Sequence, residues 1–298
     1  MDANPLTEEY TSDPQNNDEI LVSGSLNGNK AALNELIKRH QQYIYNIALR
    51  MIGDPEEAKD ITQEVLVKII TKLSTFEKRS SFRTWAYRIV VNHFLNIKKT
   101  VNETKHKDNF KDYWKVINDV PDFDVTDSYA APADMKIITD EIKISCMFGM
   151  LLCLDREQRM VYTLGVIFGV TDSVGSEILE ITKDNYRQKL SRARKDIRNF
   201  MEDKCGLVNP NNPCHCKKKT KVLIDCGYVD PKNLKWNREK YYSIQHEITE
   251  KQKGLNILYN EKAEVLFREH PFQTSPDFVE GLKEIISSDH FKNIFNFN

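Results

Sequence analysis

The sequence predicts an all-α protein, with two helical domains joined by a flexible linker and followed by a C-terminal helical extension. Three observations carry this. Apolar residues recur at helical spacing through several long stretches, cap signals stand where those stretches begin, and nothing alternates convincingly as a strand. The 298 residues have room for two or three small domains with ordinary cores.

Residues 1–19 read as a flexible tail, polar and with two prolines, and up to Asn17 they contain acids but no base. Residues 20–99 read as the first helical domain. Leu33, Leu36, Ile37, Ile44, Ile47, Ala48 and Met51 fit one long helix from Asn29 to Gly53. A new helix then opens strongly. Asp54 can cap free N–H groups, Pro55 sits where a missing N–H costs nothing, and Glu57 closes a box-like cap. Ala58, Ile61, Val65, Leu66, Ile69 and Leu73 form its buried stripe, while Asp60, Gln63 and Glu64 lie off it on a polar face.

The next stretch changes character. Lys78, Arg79, Arg83, Arg88, Lys98 and Lys99 surround Phe76, Phe82, Trp85, Tyr87 and Phe94, with Glu77 the only acid between Lys72 and Lys99. An acidic helix followed by a basic, aromatic one points to a protein partner and a nucleic-acid partner. Two amphipathic helices with solvated faces are the alternative that the pattern leaves open.

Residues 100–133 break the pattern with acids, Asn, Pro121 and Pro132, leaving Tyr113, Trp114 and Phe123 isolated, and read as a flexible linker. Residues 134–204 form the second domain. Ile137, Ile138, Ile142, Met147 and Leu151 make one face of its first helix, and Asp155 with Gln158 marks another capped start. A helix-turn-helix follows. Thr171 caps a short helix through Leu179, and Thr182 caps a second one from Lys183 to about Met201. In such a motif the second helix reads bases near its N-terminus and holds phosphates with the rest. Thr182, Lys183, Asn185 and Gln188 are therefore the candidates for base edges, and Arg187, Lys189, Arg192 and Arg194 for phosphates.

Residues 54–69 resemble region two of the extracytoplasmic-function (ECF) sigma factors of bacterial RNA polymerase, whose pattern is roughly GDxxDAEDLVQETFLR. Phe82-Arg83-Thr84-Trp85, Arg88-Ile89 and Asn92 resemble the next part of that region. The run from Leu154 to Gln158 resembles the opening of sigma region four, and Leu190 to Lys195 its RLxRARK ending. The resemblance implies a promoter-specificity subunit that needs no cofactor. Asp60, Gln63 and Glu64 would dock on core RNA polymerase. Lys78, Arg79 and Phe82, in or at the end of a base-capturing loop, with Arg88, Asn92 and Asn96, would contact the minus-ten element, and region four would hold the minus-thirty-five element. An anti-sigma factor is a further partner to look for. Two positions depart from the family: Gly175 replaces an apolar residue and should weaken its helix by up to about 1 kcal/mol, and Glu180 replaces the turn glycine.

Residues 205–298 form a cysteine-containing extension with the character of a regulatory appendage, since minimal family members end near Met201. Cys205, Cys214, His215, Cys216 and Cys226 are zinc-ligand types, but C-x8-C-H-C-x9-C is not the paired C-x-x-C arrangement. Free cysteines are the expectation and a structural zinc on Cys205, Cys214, Cys216 and Cys226 the alternative. Trp236, Tyr241, Tyr242, Ile244, Ile248, Leu255, Leu258, Val265, Leu266 and Phe267, then Phe278, Leu282, Ile285 and Ile286, suggest helices that pack on something.

The formal net charge of −1 hides this clustering and does not exclude nucleic-acid binding. No signal peptide or membrane-spanning run is visible, so the chain reads as cytoplasmic, without membrane insertion. No nucleophile–base pair, phosphate loop or paired carboxylates stand out, which argues against an enzyme. A helix-turn-helix regulator independent of polymerase would use residues 171–201 but leave the acidic helix idle.

Overall fold

The computed structural model describes residues 5–6, 17–106, 109–123, 132–231, 233–236, 262–268 and 272–287. Local signals set the first helices. After α1 (Asp18–Leu26), the Asn29 side chain accepts the Ala31 and Ala32 N–H groups at 3.0 and 3.2 Å and starts α2 (Lys30–Ile52), which Gly53 ends at φ 70°. Asp54 caps α3 (Pro55–Thr71) by accepting the N–H groups of Glu56 and Glu57. Glu57 does not close the expected box; its carboxylate accepts the Asn102 N–H instead. Ser81 then caps α4 (Phe82–Asn96). Ile44, Ile47 and Ala48 of α2 meet Val65 and Leu66 of α3 and Val90 and Phe94 of α4 in a fully enclosed core.

The stretch expected to be a flexible linker carries two helices. Thr100 and Glu103 form a capping box for α5 (Val101–Lys105), and Asn109 caps α6 (Phe110–Asp119). Tyr113 is buried, its hydroxyl donating to the Cys146 carbonyl at 3.1 Å. Phe110, Tyr113 and Trp114 pack against Phe200. In the N-terminal tail, Pro5 and Leu6 are buried rather than loose. Residues 124–131 of the linker and positions 241–258 of the extension lie outside the described residues.

In the second half, α7 (Pro132–Leu152) buries Ile137, Ile138, Ile142, Met147 and Leu151, as its periodicity predicts. Asp155 caps α8 (Arg156–Tyr162), which runs into one π-helical turn at Thr163–Ile167. The helix-turn-helix is α9 (Asp172–Leu179) and α10 (Lys183–Lys204), capped by Thr171 and Thr182. Both departures from the family pattern have a place here. A Cβ on Gly175 would lie 2.4–2.7 Å from the Tyr186 ring, so the glycine is what lets α10 approach. Glu180 sits in the left-handed region at φ 56°, the conformation a glycine would adopt without strain.

The extension adds α11 (Cys216–Asp225), α12 (Lys262–Arg268) and α13 (Phe278–Ser287). Among the described residues the isolated β-type pairing is Cys205 with Cys214. The two halves are not beads on a linker. A single apolar core runs from Leu6 and Val22 through α7 and α10 to Phe278 and Leu282.

Candidate nucleic-acid interface

The polar face of α3 forms as expected, with Asp60 and Glu64 exposed and Gln63 half-buried. Glu64 lies 3.5 Å from the His93 ring of α4. Burial, and then the nearby Lys68, push the His93 pKa down to about 4, so near neutral pH the imidazole is uncharged and adds no positive charge beside Glu64.

Between α3 and α4, Lys78 and Arg79 are exposed, Lys78 at φ 56°. Phe82 corrects the expectation of a base-contacting ring. It is 3% exposed and sits in an aromatic cluster with Phe76, Trp85 and His40, offering no ring face to a base. Its side chain is the first apolar residue of α4 and turns inward with the core stripe. Trp85, half-buried, is the aromatic of this cluster nearest the surface. Asn92 and Asn96 are exposed along α4. Arg88 is engaged: its Nε donates to the Glu177 carbonyl at 3.0 Å, and the carboxylates of Glu177 and Glu180 lie 3.9 and 3.8 Å away. The turn of the helix-turn-helix thus sits on the basic face of α4.

On α10 the first two turns are open. Thr182, Lys183, Asn185, Arg187 and Gln188 are exposed, as is Arg192 further along. Arg187 pairs with Asp172 at the start of α9, and Lys189 with Glu157 of α8 at 2.6 Å. Arg194 is held differently. Glu264 of α12, itself 11% exposed at its side chain, lies 3.2 Å from Arg194 and 3.6 Å from Arg198. Sequence reading missed Arg198 and Glu264. Arg198 follows Arg194 by one helical turn on a basic helix and was legible; its partner 66 positions away was not.

Cys146, Cys205, Cys214 and Cys216 line one apolar cavity with Met147 and Met150, while Cys226 stands apart and exposed. Cys146 joins the cavity from α7, outside the expected set. Burial pushes the Cys214 and Cys216 thiols up to about 11 and 12, keeping them protonated. Among the described residues no three His, Cys, Asp or Glu side chains gather as a metal ion requires. No helix of the described residues is long and apolar enough to cross a membrane.

The Sigma-70 region 2 family matches residues 36–101, which are α2 from Leu36 onward, α3, α4 and the start of α5. RNA polymerase sigma-H factor of Pseudomonas aeruginosa is 36% identical over 82 residues, 28% of this chain and 42% of that protein. ECF RNA polymerase sigma factor SigE of Mycolicibacterium smegmatis is 23% identical over 178 residues, 58% of this chain and 64% of that one. ECF RNA polymerase sigma-E factor of Haemophilus influenzae is 25% identical over 190 residues, 62% of this chain and 95% of that one. The chain therefore spans less than two thirds of the first two relatives and nearly all of the third. A solved structure, CnrH in complex with the cytosolic domain of CnrY, is 21% identical over 62% of this chain and 97% of that one, with a TM-score of 0.43. Residues 36–101 belong to the Sigma-70 region 2 family, and with its acidic α3 and basic α4 inside them and a helix-turn-helix beyond, the chain is similar to sigma factors of the ECF type.

Proposed function

We propose that this protein binds core RNA polymerase in the cytoplasm, recognises promoter DNA and promotes strand opening at the start of transcription, with no covalent chemistry of its own. The observation that carries the reading is the juxtaposition within residues 36–101: an exposed acidic face on α3 beside a basic, aromatic α4, in the part of the chain that matches sigma-70 region 2. Asp60, Gln63 and Glu64 dock on polymerase. Lys78 and Arg79 flank the minus-ten bases, and Arg88, Asn92 and Asn96 follow the strand. Extruding a base costs a few kcal/mol, and stacking returns about 1–3 kcal/mol per base. Trp85 is the aromatic best placed for that stacking.

The exposed start of α10 enters the major groove at the minus-thirty-five element. Thr182, Lys183, Asn185 and Gln188 meet base edges, while Arg187, Lys189, Arg192 and Arg194 hold phosphates. Because Arg88 is bonded to the last turn of α9, α4 meets a promoter strand only after the two halves separate. Polymerase binding supplies the free energy for that separation.

Run-off transcription with purified core polymerase over a promoter library, with the chain in large excess, tests the reading. Chain-dependent transcripts with discrete start sites are expected. Duplex binding without polymerase, and no initiation with it, would instead make the chain a helix-turn-helix regulator.

A further inference from the structure

We infer that α2 and α3 form a peptide-reading groove that the chain fills with its own residues 272–282, so that this segment and core polymerase are alternative occupants of one face. The inference rests on the sigma-factor reading above and assigns a regulator to its docking surface.

The groove is built by amide side chains on one face of α2. Asn46 and Gln273 form a reciprocal pair: the Gln273 N–H donates to Asn46 Oδ1 at 3.0 Å, and Asn46 Nδ2 donates to the Gln273 carbonyl at 2.7 Å. Gln42 donates to the same carbonyl and accepts the Ser275 N–H at 2.8 Å. Gln41 accepts the Phe278 N–H at 3.3 Å, at the start of α13. Three side chains thus read the backbone of an extended segment, the way an exposed edge reads an added peptide.

Aromatic anchors fix both ends. Phe272 packs on Tyr43 with ring centroids 5.1 Å apart and on Phe168 at 5.7 Å, with the buried Arg50 guanidinium 5.7 Å from both phenyl rings. Phe278 packs on Tyr45, and Val279 and Leu282 are buried beside it. Helix α13 then passes α3 at the residue that matters: a Cβ on Gly281 would lie 3.8 Å from Gln63 Nε2. A large partner cannot reach Gln63 from that side while α13 is in place.

Two further grips belong to the same extension. Lys235 reaches the start of α3, its Nζ 3.0 Å from both the Gly53 carbonyl and Asp54 Oδ2. Glu264 of α12 holds Arg194 and Arg198 on α10. The extension therefore touches the polymerase-facing helix and the duplex-facing helix at once, and in doing so holds the two halves together. A protein whose competent form is a minor population binds its partner more weakly by that fraction, so releasing the segment raises affinity without adding a contact.

The test measures core-polymerase affinity for the full chain, for F278D/L282D and for S275P, each with and without E64K. F278D/L282D places two carboxylates in an apolar contact and should tighten binding about tenfold. S275P deletes one backbone donor without touching a core side chain and should tighten it about threefold. A synthetic peptide of residues 272–287, added in trans, should return F278D/L282D toward the wild-type affinity. E64K should weaken every form. Circular dichroism checks that each variant is folded, and if F278D/L282D is not, S275P and the peptide decide. Equal affinities across the tail variants, with E64K still weakening binding, would overturn the groove and leave the sigma reading standing. Weaker binding by the released variants would make the segment part of the docking surface instead, which also overturns it. No effect of E64K in any form would bring down both.

Discussion

Beside the shared apolar core, two charged contacts link the halves of this protein, and they differ in kind. At the first, Glu103 of α5 receives Arg156 at 2.6 Å and Arg159 at 3.0 Å, with the Glu103 and Arg159 side chains 4% and 6% exposed. Arg159 also donates to the carbonyls of Met51, Leu151, Leu152 and Leu154, so its five-donor fork ties α2, α5 and α7 to α8. At the second, Arg88 meets Glu177 and Glu180 with side chains 32%, 48% and 58% exposed. A buried, fully hydrogen-bonded charge cluster is costly to break, whereas an exposed one exchanges with water and salt at little cost. Of these two charged contacts, the exposed one at Arg88 parts at little cost, and the buried one at Glu103 is the costly one to open.

The largest expected effect breaks the buried contact. Arg159→Met removes one partner of a buried pair and should lower the unfolding free energy in urea by about 3–5 kcal/mol. The same site governs acid behaviour. Burial alone would raise the Glu103 pKa, but hydrogen bonds from Arg156 and the Thr100 backbone, with Arg159 nearby, hold it below 4.5. Its stabilisation is therefore complete above the unfolded value and is lost as pH falls through the lower folded value. Melting curves should show the wild type losing stability below about pH 4.5, with a shallower loss in Arg159→Met.

Next in size is a change behind the exposed contact. Gly175→Ala places a methyl against Tyr186 and should cost about 1–3 kcal/mol in the same urea titration. Because α9 carries Glu177 and the turn that grips Arg88, this variant also loosens the exposed contact from behind.

A smaller effect arises away from both contacts, where the extension grips α7. Burial raises the Glu141 pKa to about 7, although its carboxylate accepts the Lys235 and Trp236 N–H groups. A raised folded pKa favours the protonated form, so stability declines as pH rises from the unfolded value through about 7. Glu141→Gln keeps the acceptor and removes the charge. It should raise the melting temperature by about 2–4 °C at pH 8 and leave it unchanged at pH 5. Arg88→Ala is expected to be smallest, within about 1 kcal/mol in urea, since the pair is exposed.

What the sequence made legible was local. Asn29, Asp54, Asp155, Thr171 and Thr182 cap the helices they precede, because a cap is decided within four residues. Helix α6 was legible but hidden: Phe110, Tyr113, Trp114 and Ile117 keep helical spacing among acids and lysines that suggest a linker. Phe82 was misplaced because a resemblance names a position without stating which way its ring points. Gly175 read as a weakness because the ring that needs its missing side chain is eleven residues further on. The pairing of Asn46 with Gln273, and of Arg194 with Glu264, left no trace in either stretch alone, since an amide or a carboxylate serves equally well facing water.

The central claim is that core polymerase separates the halves that the structure holds together. The most direct measurement is the distance between fluorophores on Lys98, after α4, and Lys195, on α10, both exposed and outside the proposed docking face. In the free chain it should match the closed arrangement, and on adding core polymerase it should lengthen as the Glu103 and Arg88 contacts break. A chain that binds polymerase with that distance unchanged would contradict the account.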